Sequence, residues 1–345
     1  MNTYTHSESS AQTKKSKLRV VLPIVALLLL VVMCGFLALN FRVISVSGEG
    51  RSYVLEANHT QLGILIIAEG ASATLQEKSH WIGPIISEHG ELTVEEDVTI
   101  SGPVILASDS LVLGENATLH GNVWLFAGSL ILEPGASVHH NAILTAGSVV
   151  IGQEASIRDD LILFAGGAEL QDKATLGGDA VLFAGGMNIG EEATSYGKLI
   201  LFAGGVEMAP KSLLRDNAVL FAGDIHLYPG AQIKGNVFVT EGNATLDSQS
   251  TIDGQLYLNP DSVSGRGRLY QSSEAQITRG VIKPESIELI SGWQLGARAL
   301  PLLLKCSLPL VFIFCLLMAL MFYLGRRSKS LKPKGQQEHY AEAKI

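Results

Sequence analysis

Residues 161–179 read LILFAGGAELQDKATLGGD, residues 180–198 read AVLFAGGMNIGEEATSYGK, and residues 199–217 read LILFAGGVEMAPKSLLRDN. The three segments align without a gap. Their Leu-Phe-Ala-Gly motif sets Gly166, Gly185 and Gly204 at equal steps of 19 (185 − 166, 204 − 185). Outward from this block the same frame holds Gly147 and Gly128 on one side, and Gly223 and Gly242 on the other. It runs back through Asp109 to Gly90. A fixed period of roughly 20 residues is the mark of a solenoid, in which each repeat stacks on its neighbours.

Within a repeat the apolar residues alternate in short bursts, the period of a strand. Stacked repeats align them in columns. Leu106, Leu125, Leu144, Leu163, Leu182 and Leu201 form one column, Leu113, Leu132, Ile151, Leu170 and Ile189 a second, and Leu119, Val138, Ile157, Leu176 and Ser195 a third. Three columns predict three short strands per coil around a roughly triangular core. Ala117, Ala136, Ala155, Ala174 and Ala193 lie two positions before the third column, where a corner leaves little room. The predicted corners carry Gly, Asn and Asp, which tolerate a left-handed backbone. The fold class is therefore all-β: a single-stranded, three-sided parallel β-helix of 19-residue coils over residues 83–260.

Alternation also sends a set of apolar side chains to the opposite side from the leucine column. These are Trp124, Ile162, Val181, Ile200, Val219 and Phe238, with Phe126, Phe164, Phe183, Phe202 and Phe221 two positions further along. If the leucines point inward, this partly aromatic stripe points outward, and a large outward apolar stripe marks an interface. It is the candidate interface, for self-association or for another envelope protein. A terminal segment folding back over it is the competing reading.

The flanks place the solenoid. Of 345 residues 47% are hydrophobic and 17% charged, and the mean hydropathy of +0.29 is high for a soluble chain. Residues 20–41 and 299–324 are apolar runs that reach the ~20 residues needed to cross a bilayer, and are predicted transmembrane helices flanking the solenoid. Residues 1–19 and 325–345 are polar tails with Lys14, Lys15, Lys17 and Arg19 before the first run and Arg326, Arg327 and Lys329 after the second. Positive residues stay on the cytoplasmic side. The expectation is a two-pass membrane protein with both termini cytoplasmic and the solenoid extracytoplasmic, the lipid bilayer being its first partner. Residues 42–82 are expected to be a juxtamembrane segment and N-terminal cap, and residues 261–298 a C-terminal cap and connector. The net charge of −8 excludes nucleic acid as an expected partner. Cys34, Cys306 and Cys315 all lie in the apolar runs, so no disulfide framework supports the solenoid.

Residues with chemical potential are few. His120 and His139 share a column, with His140 next to the latter. Stacked histidines could hold a metal or act as a base, but no third ligand joins them, and solvated turn histidines are the preferred reading. Asp159, Asp160, Asp179 and Asp216 gather along one corner. Paired carboxylates can cleave polysaccharide, yet Asn122, Asn141, Asn217 and Asn236 fall at the same corner, and a turn ladder of Asn and Asp explains the whole set. The Gly-Gly pairs lack the Lys-Ser/Thr of a phosphate loop. No catalytic, metal or cofactor residue is assigned, and the chain is read as not an enzyme.

Coils such as GDAVLFAGGMNIGEEAT (Gly178–Thr194) and GNVFVTEGNATLDSQSTIDG (Gly235–Gly254) resemble those of bactofilins, the polymer-forming cytoskeletal β-helix proteins of bacteria. The resemblance covers about half of the chain. It implies a compact β-helix that polymerises without nucleotide and scaffolds envelope machinery. Bactofilins are cytoplasmic or loosely attached, and the two apolar runs here depart from that. Ile151-Gly-Gln-Glu-Ala-Ser is also similar to the six-residue unit of hexapeptide acyltransferases, though 19-residue coils are not multiples of six and no loop interrupts them. The expected function is a membrane-anchored scaffold or self-associating platform. The alternatives are an accessory subunit of a membrane complex and a carbohydrate-active enzyme.

Overall fold

A computed structural model describes residues 42–259 and 267–282. Both predicted spans and both tails lie outside the described residues. Among the described residues no helix is long and apolar enough to cross a membrane, and the chain forms 36 short strands.

Each coil contributes three strands, one to each face of a triangular solenoid. In one coil these are Thr118–Leu119 on face C, Val123–Leu125 on face A and Leu130–Leu132 on face B. Every strand pairs in parallel with its counterpart in the next coil. Leu125 lies beside Leu144, and Leu144 beside Leu163, a shift of 19 that keeps each column in register. Strand amides such as those of Ser137, Phe126 and Glu133 thus find carbonyls in an adjacent coil, which a stack of strands with no helix requires.

The three predicted columns are the core. Leu106, Leu125, Leu144, Leu113, Leu132, Ile151, Leu119, Val138 and Ile157 are each at most 1% exposed. The alanine column packs behind them, with Ala136, Ala155 and Ala174 fully buried. No single coil could bury these side chains alone, so stability accumulates between neighbours.

The corners follow the expected chemistry with one surprise. Between faces B and C each coil from Asn58 to Gln249 holds one left-handed residue. Gly135 and Gly230 fill it in two coils, but Glu154, Lys173, Glu192 and Lys211 fill it elsewhere at φ of 58–60°. Between faces A and B a glycine fills the left-handed corner from Gly128 to Gly223, with Asp109 taking the place at φ of 95° in the coil before. Gly166 has φ of 124°, and a Cβ there would collide with the Gly147 carbonyl oxygen of the coil before.

The ladder is longer than the repeat motif. Residues 42–82, expected as a juxtamembrane segment and cap, carry strands Arg42–Val46 through His80–Ile82 of the same ladder. Arg42 pairs with Gly63 and Ser52 with Ser72, so the register steps are 21 (63 − 42) and 20 (72 − 52). These steps break the motif arithmetic without breaking the pairing. Beyond Asn259 the strands Leu269–Gln271, Gln276–Ile277 and Val281–Ile282 add a further coil. There Ala244 pairs with Leu269, a step of 25 (269 − 244) against 19 in the body.

Candidate functional site

Face A sets this solenoid apart. On face C the outward positions are mostly Ser and Thr, such as Ser137, Ser156, Thr175 and Thr194. On face B they turn from Val112, Ile131 and Val150 to Glu169, Asn188 and Glu207 along the ladder. On face A the outward column is apolar or aromatic from Ile66 to Ile282, through Ile86, Ile105, Trp124, Ile143, Ile200, Val219, Phe238 and Tyr257.

Beside this column Phe164, Phe183, Phe202 and Phe221 stack ring on ring. Their centroids are 4.8, 4.8 and 4.9 Å apart, with interplanar angles of 3°, 1° and 9°. This spacing is that of neighbouring strands, so the rings repeat as the backbone does. Phe238 and Tyr257 stack likewise at 4.4 Å. The near-zero angles show that the four rings lie parallel from coil to coil. Each stacked pair contributes about 0.5–1.5 kcal/mol between coils beyond area burial, so part of the ladder's role is cohesion.

The sequence-predicted interface residues all lie on face A, but not equally at its surface. Phe202 is 37% exposed, whereas Ile162 and Val181 fall to 6% and 7%. The latter two share the outward register of the column but are covered, so they add little to the exposed stripe. Thr145 separates Phe126 from the four-ring stack. Trp124, Phe126, Phe164, Phe183, Ile200, Val219, Phe221 and Phe238 are half-buried.

The carboxylate corner is structural. Asn141 Oδ1 accepts the amide of Asp160 at 3.0 Å, Asp160 Oδ1 that of Asp179 at 2.8 Å, and Asp179 Oδ1 that of Lys198 at 2.7 Å. The next side chain in line, Lys198, has no acceptor. The amide of Asn217 therefore turns to Asp216 Oδ1 at 2.7 Å, and the ladder resumes from Asn217 to Asn236. Asp159 lies to one side, 3.1 Å from His140 Nδ1. The rings of His120 and His139 meet edge to face at 4.1 Å. Partial burial first, and then the positive charges of His120, Arg158 and His140, hold His139 below the usual histidine pKa. Among the described residues no group of three His, Cys, Asp or Glu could hold a metal.

One surface escaped sequence reasoning. A groove of about 1130 Å³ on face B is bordered by Glu77, Glu91, Glu95, Glu96, Glu115 and Glu133. Its signal was available, since Glu77, Glu96 and Glu115 recur at the coil period.

No protein-family model, curated protein or solved structure matches the chain.

Proposed function

We infer that the chain is a membrane-anchored scaffold, a rigid β-solenoid held outside the cytoplasm that presents surfaces for assembly at the cell envelope. The observation that carries this reading is the distribution of side chains over three faces. Face A is apolar or aromatic outward from Ile66 to Ile282, face C is mostly Ser and Thr, and face B turns from apolar to polar along the ladder. Chemistry at a single site would need local departures from the repeat, and the corner carboxylates are instead bound to backbone amides. The apolar runs at residues 20–41 and 299–324 supply the anchors in this proposal, and face A supplies the principal contact surface. The likeness to bactofilins supports a scaffold role and is a resemblance of coils alone.

Crosslinking of the full-length protein in native membranes, followed by extraction in mild detergent, tests the reading. Homo-oligomers are expected of a self-associating platform, and a defined hetero-complex of an accessory subunit. A lone monomer under all conditions overturns the proposal. The rival enzyme reading predicts turnover of cell-wall glycan that is lost on Asp160→Asn with Asp179→Asn, and such turnover would replace it.

A further inference from the structure

The first described strand, Arg42–Val46, belongs to face A, and so does the last, Val281–Ile282. The chain therefore enters and leaves the solenoid on its apolar face, at opposite ends of the ladder. Twelve successive pairings separate these two strands on face A. At ~4.8 Å per pairing they lie about 58 Å apart.

The sequence outside the ladder limits how it can sit. The apolar run ends at Phe41 and the first strand begins at Arg42, with no linker between them. At the other end residues 283–298 alone separate Ile282 from the second run. Fully extended, the 17 Cα steps from 282 to 299 span at most about 56–61 Å. A solenoid standing on its N-terminal end would need that whole segment drawn taut from top to bottom. The segment includes Pro284 and Gly292. A solenoid lying along the bilayer brings both ends of face A to the membrane with the connector slack. Of its three faces, only face A has an outward column that is apolar or aromatic from the second coil to the last, Ile66 to Ile282 after Ser45 in the first, with Trp124 and Tyr257 in it, residue types that favour the membrane–water boundary.

We propose that face A rests on the outer surface of the bilayer, with its Phe stack and Ile/Val column in the headgroup–acyl boundary. The inference rests on the membrane-anchored reading and names the occupant of the contact surface as lipid. Faces B and C, the acidic groove included, then point away from the membrane and are free for protein partners. Arg42 sits at the headgroup level, where a cation beside an apolar run is at home.

The test uses full-length protein in phosphatidylcholine vesicles. Cys34, Cys306 and Cys315 are replaced by serine, and one nitroxide is placed at Ile200→Cys on face A, Asn188→Cys on face B or Thr194→Cys on face C. Collisions with oxygen, which concentrates in lipid, are compared with collisions with a water-soluble nickel chelate. At Ile200→Cys the ratio should exceed that of the other two positions several-fold. Phe183→Asp with Phe202→Asp should bring it down to theirs while the circular dichroism stays that of the wild type. Equal ratios at all three positions in protein that floats with the vesicles overturn the lipid contact and leave the anchored scaffold standing. Protection of Ile200→Cys from both reagents, with spin–spin broadening, assigns face A to a second copy and also overturns it. Failure to float removes the anchored reading and this one together.

Discussion

Gly166 and Gly167 are neighbours with unlike duties. At Gly166 the left-handed backbone and the approach of the Gly147 carbonyl leave no room for a side chain. At Gly167 a Cβ would meet its nearest neighbour, the Gly186 carbonyl, at an ordinary 3.5 Å. Gly166→Ala should therefore cost at least about 3 kcal/mol, and Gly167→Ala should stay within about 0.5 kcal/mol of wild type. Urea unfolding of both variants checks the contrast. Ser195 offers the opposite case. It takes the place that Leu176 and Leu214 hold in adjacent coils, and its hydroxyl is buried without a partner. An unpaired buried hydroxyl costs about 1–3 kcal/mol, so Ser195→Leu should raise the midpoint of urea unfolding. A fall would show that the coil has no room for the larger side chain.

At the scale of one element, the corner between faces C and A joins stability to pH. His139 titrates below its unfolded value, held down by burial and by neighbouring positive charge. The unfolded chain therefore takes up a proton first as pH falls. The sign is fixed by linkage: stability is full above the ordinary histidine pKa near 6.5 and declines as pH falls through that value toward the lower folded one. His139→Gln should flatten this part of the stability–pH curve, as thermal melts between pH 5 and 8 would show. The elements also mark what could be read in advance. The leucine columns were legible because inward positions repeat at one fixed interval through the body of the ladder. The Asn/Asp corner was legible because the same two residue types recur at the coil period. The first strands were not, since register steps of 20 and 21 lengthen a turn and hide the motif while the pairing continues. The cover over Ile162 and Val181 was not legible either. Strand alternation gives the side to which a residue points, not how much of it is covered there.

Across the described ladder each strand pairs only with its counterparts in adjacent coils, so a complete coil is a removable unit. Deleting residues 180–198 joins Asp179 to Leu199 with every column intact. The shortened protein should fold with the same circular dichroism per residue and a lower melting temperature, because one interface is lost. Deleting only residues 180–189 shifts every later column out of register and should abolish the cooperative melt. Equal behaviour of the two deletions would contradict nearest-neighbour stacking.

The unequal spacing at the two ends has a further consequence. A chain of near-identical rungs can pair one rung too early or too late while refolding, and the slipped pairing keeps almost every leucine beneath a leucine. Only segments out of phase with the rest can tell the frames apart. The longer steps at the start (Arg42 to Gly63, Ser52 to Ser72) and at the close (Ala244 to Leu269) differ from those of the body, so a ladder slipped by one rung should meet mismatched turns at its ends, and the irregular termini are expected to act as index marks.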